Sequence, residues 1–336
     1  MFSVDGEENY APWQLREVLF QNVCNGNIKG SGIPATVHDG PNKYNRHPKC
    51  HLVHHWNPFL VVGPFHIEVS FYLPLRTILH DFFTEKEMNW VLNFSSLRLR
   101  RLREDKIFKV AAQSKTSSLV HNKTAVTEAV AFWLNDIEYP EKEIYTLISK
   151  KGQPREYTVK PAVKDPYKYI VSHKILFTIS KRIELATHLN VTARHAATMY
   201  RTTNYGLSGI FLPHLDSWGF EKGVQFPEHH KQLITNGDYM ATFQGYYKDT
   251  PGGGGTGFMN ENYEGTVEPK KGSAAFWINM LSCHEKEKRS QHAGCPVLKG
   301  SKWIISRWMY SWDQWKSWPC HLEPHTTILP FAGMSD

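Results

Sequence analysis

The spacing of apolar positions changes once along this chain, near residue 194. Ahead of that point two stretches, Thr124 to Leu134 and Val171 to Leu189, carry apolar residues every three or four positions, the period of a helix with one buried face. A third helix is predicted from Thr84-Glu-Lys-Glu87 towards Leu97. Those four residues form a capping box, in which Thr84 accepts from a free backbone amide while Glu87 reaches back. Residues 1 to about 55 are irregular and rich in Gly, Asn, Pro and His, with one helical candidate from Trp13 to Asn22. From Asn57-Pro58 the texture turns to Phe-Leu-Val-Val-Gly-Pro-Phe-His-Ile-Glu-Val, an alternating stretch that predicts a strand.

Beyond residue 194 short β-rich runs alternate with Gly and Pro clusters. They are Ala197 to Tyr205, Ile210 to His214, Tyr239 to Tyr247, Ser273 to Asn279 and Lys302 to Trp312. Helices first and many strands later predict an α+β fold whose strands form a sandwich or barrel. Pro251 to Gly257 holds five glycines and reads as a turn or mobile loop. No Gly-Lys-Ser/Thr follows, so a phosphate cradle is a poor reading of it. No internal repeat is visible.

At 336 residues and 41% hydrophobic, the chain can bury a substantial core as one large domain or two smaller ones. The net charge of +7 is scattered, apart from Arg98, Arg100, Arg101 and Arg103, which read as a solvated helix end rather than a binding patch. No apolar run reaches the roughly 18 residues of a membrane span. The N-terminus lacks the basic start and apolar stretch of a signal peptide, which by itself points to the cytosol. Against it stand five cysteines, 24, 50, 283, 295 and 320, and the glycosylation sequons at Asn93, Asn122 and Asn190.

The candidate chemistry lies in the second half. In a strand, residues i and i+2 share a face, so His214 and Asp216 of Pro-His-Leu-Asp can bind one cation from one segment. With 18 histidines a lone His-x-Asp pair means little. His292 gives it a remote third partner, and two His with one carboxylate hold non-haem Fe(II) with open positions. Lys302 opens the next strand, on one face with Ile304, Ser306, Trp308, Tyr310 and Trp312. A lysine on such a face needs an anion, because an unpaired buried ammonium is costly; without the other three residues a surface lysine is the simpler reading. His229-His230 and His284 read as loop residues, and most of Trp303, Trp308, Trp312, Trp315 and Trp318 as core.

Several ordered motifs surround these residues: Asn204-Tyr-Gly, Pro213-His-Leu-Asp216, Gly254-Gly-Thr-Gly-Phe258, Pro269 to Trp277, His292-Ala-Gly-Cys-Pro-Val-Leu298, Lys302-Trp and Ser317-Trp-Pro-Cys320. With them the region resembles the catalytic domain of the prolyl 4-hydroxylases, most closely collagen-type alpha subunits, over about residues 55 to 322. The resemblance implies a double-stranded β-helix, or jelly roll, core with supporting N-terminal helices. It implies iron on His214, Asp216 and His292, and Lys302 paired with the distal carboxylate of 2-oxoglutarate, which Tyr205 and Thr242 also contact. The activity implied is that of a procollagen-proline 4-dioxygenase acting on X-Pro-Gly, with succinate and CO2 as co-products and L-ascorbate keeping the iron reduced.

The same resemblance divides the chain into an irregular segment 1–55 at the end of a peptide-binding domain, a catalytic domain 56–322 with the jelly roll at about 195–314, and a tail 323–336. It pairs Cys295 with Cys320 and Cys24 with Cys50, and leaves Cys283 free. Two such pairs fit the endoplasmic reticulum lumen, and the absent signal peptide then implies an incomplete start. Protein disulfide isomerase is the partner the family suggests, and a collagen-like or proline-rich peptide the substrate. Departures concern substrate specificity more than metal binding: Ser114-Lys-Thr-Ser-Ser118 lacks a usual tryptophan, Phe211 replaces a tyrosine, and Asp238 replaces a basic residue. The alternatives are the same chemistry on another substrate, or a truncated subunit that binds proline-rich chains without turnover.

Overall fold

The computed structural model describes residues 24, 49–53, 63–72, 74–96, 100–101, 126–134, 143–148, 154–159, 166–193, 195–219, 233–260, 263–316 and 318–319. In chain order the elements are β1 (Lys49–Val53), β2 (Phe65–Tyr72), β3 (Leu75–His80), α1 (Glu85–Ser96), β4 (Arg100–Arg101), β5 (Val126–Leu134), β6 (Glu143–Ile148), β7 (Pro154–Val159), α2 (Pro166–Thr187) and β8 (Tyr200–His214). There follow β9 (Tyr239–Tyr246), β10 (Gly252–Gly253), β11 (Thr256–Asn260), β12 (Tyr263–Val267), β13 (Ala274–Ile278), β14 (His292–Gly294), β15 (Val297–Lys299) and β16 (Lys302–Tyr310).

The sheet curls because β8 belongs to two halves of it. The beginning of β8 pairs antiparallel with β16, Arg201 opposite Ser306 and Tyr205 opposite Lys302. Its end pairs with β14, Phe211 opposite Gly294 and His214 opposite His292. From β16 the ladder runs on through β9, β13, β3, β2 and β1, and from β14 through β11 to β12. The two halves wrap a shared interior, which is the jelly-roll arrangement. Ser208, at φ 61°, lies in the left-handed region between the two pairing zones and allows the strand to change partners without ending.

Strand alternation then sorts the side chains into two cores. On β9 and β13, Ala241, Phe243, Ala274, Phe276 and Ile278 join the core beneath the helices, while Tyr246, Ala275 and Trp277 join the inner one. The helices back the outer core. On α2, Leu176, Ile179, Ile183 and Ala186 are buried at helical spacing. The capping box of α1 forms as its residues predict: Glu87 accepts from the Thr84 amide at 2.9 Å and Thr84 accepts from the Glu87 amide at 3.3 Å. Arg182 of α2 closes a two-pronged ion pair on Glu87 at 2.8 and 2.9 Å and donates to the Phe82 carbonyl at 2.9 Å, tying both helices to the end of β3.

Several expectations are corrected. Thr124 to Leu134 is not a helix: Val126–Leu134 is β5, paired along β8 and with β4. Its helical period was ambiguous in a run of Val, Thr, Phe and Trp, which suit a pleated surface, and the open edge of β8 decided it. The arginine cluster is not a helix end, since α1 stops at Ser96 and Arg100–Arg101 form β4. β1, which precedes residue 55, pairs with β2 beyond it. The strand expected from Asn57 begins at Phe65, just past Pro64, which has no amide hydrogen to donate to a ladder. The runs expected at 197–205 and 210–214 merge into one strand, β8, from Tyr200 to His214. Within the glycine-rich stretch, Gly252–Gly253 pair with β15 and Thr256 opens β11.

The disulfide runs from Cys24 to Cys295, which excludes both family-derived pairs, Cys24 with Cys50 and Cys295 with Cys320. The two Cα atoms lie 5.2 Å apart, within the reach a disulfide demands, and such proximity is set by folding rather than by spacing along the chain. Cys50 and Cys283 are free thiols. The Trp13 to Asn22 candidate, Ser114 to Ser118, His229-His230, Cys320 and the tail lie outside the described residues.

Phe243 holds β9 against the helices through rings of Phe82 at 5.0 Å and Phe83 at 6.1 Å. Phe243→Ala is expected to lower the unfolding free energy by about 3–5 kcal/mol in urea titrations, as deletion of a fully buried aromatic does.

Candidate functional site

Three side chains converge where β8 ends against β14. The ligand atoms of His214, Asp216 and His292 all lie within 4.8 Å of one another. His214 Nε2 is 3.5 Å from Asp216 Oδ1, and His292 Nε2 is 3.6 Å from Asp216 Oδ2. Each imidazole is oriented from behind by a main-chain carbonyl. His214 Nδ1 donates to the Leu212 carbonyl at 2.8 Å and His292 Nδ1 to that of Ser290 at 3.0 Å. With its hydrogen on Nδ1, each ring turns the Nε2 lone pair towards Asp216.

Asp216 is fixed in the same way. Thr242 of β9 donates to its Oδ2 at 2.6 Å, and Asn279 donates to Thr242 at 2.7 Å. Burial alone would raise the Asp216 carboxyl, but the charges of His292 and His214 in their protonated forms and the Thr242 hydrogen bond outweigh it and hold it below the usual range. Burial pushes His292 down to about 4, against the pull of Asp216. At neutral pH the trio is therefore one carboxylate and a neutral His292, which are metal-ligand forms. The donor set fits Fe(II), since two imidazoles and one carboxylate leave coordination positions open.

The trio lies on the wall of a cleft with about 430 Å³ of free space out to its mouth. Also on that wall is Lys302, 2% exposed, whose Nζ donates to the Thr256 hydroxyl at 3.1 Å and the Gly255 carbonyl at 3.3 Å. Among the described residues no carboxylate forms a contact ion pair with it, and burial pushes its ammonium down to about 7 against the longer-range pull of Glu268. An anion entering the cleft would restore the charge and relieve that cost.

His214, Asp216, His292 and Lys302 thus line one cleft, with Tyr205 and Thr242 beside them. Tyr205 faces Lys302, whose Nζ lies 5.8 Å from its ring centre. Thr242 lines the cleft too, and its hydroxyl donates to Asp216. The hydroxyl beside Lys302 belongs to Thr256, which also joins Gln244 at 2.8 Å and Tyr246 at 2.9 Å. Sequence reasoning gave Thr256, Gln244, Tyr246 and Asn279 no role. The i, i+2 series Thr242, Gln244, Tyr246 on one face of β9 was the signal available for two of them. His284 sits apart from the trio, in a turn at φ 65°. Of the tryptophans expected in the core, Trp318 is buried, Trp303 and Trp308 are partly buried, and Trp312 and Trp315 are 58% and 63% exposed.

Residues 200–310 match the 2OG-Fe(II) oxygenase superfamily. Across 282 residues, 84% of this chain and 42% of the other, the chain is 27% identical to prolyl 4-hydroxylase subunit alpha-2 of Caenorhabditis elegans. It is 35% identical over 148 residues, 44% of this chain and 26% of the other, to prolyl 4-hydroxylase subunit alpha-1 of Homo sapiens. Among solved structures, the viral collagen prolyl hydroxylase of Paramecium Bursaria Chlorella virus-1 aligns over 70% of this chain and 96% of its own, at 15% identity and a TM-score of 0.42. The chain spans less than half the length of the curated relatives named here.

Thr242→Val removes the donor that orients Asp216, and is expected to weaken Mn(II) or Co(II) binding by roughly ten- to a hundredfold in calorimetry with the fold retained. Lys302 titrates near 7 in the folded protein and at 10.5 when exposed, so the unfolded chain holds more protons between those values and stability rises with pH across the window. Lys302→Met is therefore expected to raise the melting temperature of the ligand-free protein at pH 7, with a gain that shrinks as pH approaches 10.5.

Proposed function

We propose that the protein is an Fe(II)- and 2-oxoglutarate-dependent dioxygenase that hydroxylates peptidyl proline to 4-hydroxyproline in procollagen-type X-Pro-Gly sequences. The observation that carries the reading is one cleft that presents two imidazoles and a carboxylate together with an ammonium that has no contact carboxylate partner among the described residues. The superfamily match over 200–310 and the named relatives support the reaction class.

When bound, the iron supplies dioxygen activation at the positions its three protein ligands leave open. The chain's own residues do the rest. His214, Asp216 and His292 hold the metal, with the Leu212 and Ser290 carbonyls retaining the Nδ1 hydrogens and Thr242 retaining the Asp216 oxygen. Lys302, kept in place by Thr256 and Gly255, accepts the distal carboxylate of 2-oxoglutarate as an ion pair. Trp277 and Phe258 pack against the His292 ring at 4.8 and 5.8 Å and keep water from that side of the trio. Succinate and CO2 are the co-products of this reading, and L-ascorbate the reductant. The lumen of the endoplasmic reticulum, a collagen-like substrate and protein disulfide isomerase as partner subunit belong to the same proposal.

The same chemistry on another protein or small molecule is the second reading, and Phe211 favours it. Its ring lies 3.9 Å from that of His214, so the position next to a candidate ligand carries no hydroxyl. A collagen-like Pro-Pro-Gly peptide incubated with the protein, iron, 2-oxoglutarate and ascorbate is expected to gain one oxygen on the proline before glycine, read by mass spectrometry. His292→Ala is expected to abolish that gain and peptide-dependent succinate formation with the circular dichroism unchanged. Undiminished turnover in that variant would sink the assignment, and oxidation of non-proline substrates alone would select the second reading.

A further inference from the structure

Arg201 lies on β8 in the cleft-lining series Arg201, Thr203, Tyr205, opposite Ser306 of β16. Five arginines have described side chains, and four of them have protein partners. Arg182 pairs with Glu87, Arg289 with Glu287, Arg76 with Ser70, and Arg307 with Ser180 and Val191. Arg201 is the fifth. It is half-buried on the cleft wall, and among the described residues nothing pairs or hydrogen-bonds with it. A guanidinium without a partner in a partly dry cleft is costly, and its planar fork matches a carboxylate.

Pairing indicates which carboxylate. The described charged groups lining the cleft are Asp216, Lys302 and Arg201, besides the two histidines; Glu268 acts on Lys302 from outside that wall. On the proposed function the metal takes one cosubstrate carboxylate and Lys302 the other, so both are matched and Arg201 remains over. From this we infer that Arg201 recognises a carboxylate on the primary substrate, and that the favoured peptide carries an acidic side chain beside the target residue. The inference rests on the cleft holding metal and cosubstrate as proposed, and adds the class of group the substrate must present.

The test is a binding measurement that needs no turnover. Pro-Pro-Gly repeat peptides with Glu, Gln or Lys replacing one proline next to the target are titrated, by fluorescence anisotropy, into protein loaded with Mn(II) and 2-oxoglutarate. The Glu peptide is expected to bind roughly tenfold tighter than the Gln peptide, the scale of one charge-assisted pair, and the Lys peptide weakest, with the spread narrowing at high salt. In Arg201→Gln the spread is expected to vanish while Mn(II) and 2-oxoglutarate affinities hold. Arg201→Lys should keep part of it, which separates charge recognition from a folding defect.

Equal affinity for the three peptides, or none measurable for any, overturns the assignment. So does an Arg201→Gln variant that loses 2-oxoglutarate affinity with peptide selectivity intact, because Arg201 would then serve the cosubstrate. A Glu preference abolished by Arg201→Gln, in a protein that never oxidises proline, would sink the proposed reaction and leave the role of Arg201 standing.

Discussion

The architecture turns on the double pairing of β8. A strand of 15 residues has backbone donors and acceptors that must all be satisfied, and no single neighbour runs its whole length. β5 follows one edge from Tyr200 to Phe211, the other edge passes from β16 to β14, and that change of partner bends the sheet round on itself. Everything in the cleft follows from that bend. It sets His214 opposite His292, and it brings Arg201 and Tyr205 across from Ser306 and Lys302.

A curled sheet has an inside too small for many polar groups, and this one holds several in ordered sets. The outer core is apolar and packed against α1 and α2, with the Glu87–Arg182 pair and the Arg307 contacts holding the helices in place. That rigid backing is what allows the inner face to carry groups that oppose folding. Lys302 is buried with no contact ion pair to a carboxylate among the described residues, and His292 is kept neutral by burial. Such groups raise the cost of the ligand-free state and lower it when a metal and an anion bind, so stability and ligand affinity are coupled through the same few side chains.

The arrangement also separates tasks by strand. β8 and β14 supply the imidazoles, and Asp216 follows directly on β8. β9 supplies Thr242, which holds Asp216, and Gln244, which joins the Thr256 hydroxyl beside Lys302. Because alternate residues of β9 face opposite cores, Phe243 anchors in the helix-backed layer the strand whose neighbours reach the cleft. Precision at the trio is thus inherited from packing one layer away.

The sequence alone determined the content of the site and most of its scaffold. His214 and Asp216 share a strand face by period, Thr84 to Glu87 start a helix by local hydrogen bonding, and the strands at 239–246, 274–278 and 302–310 announce themselves by alternation. These are local properties, fixed by residues within a few positions of one another. Tertiary structure decided what locality could not. The run 126–134 became a strand because β8 offered an edge, and Cys24 found Cys295 because the fold brought them within bonding reach. Thr242 went to Asp216 while Thr256 went to Lys302, since a side chain's partner depends on which strand lies across from it. The lack of a partner for Arg201 among the described residues is of the same kind: an ion pair is a distance in space, and spacing along a chain does not encode it.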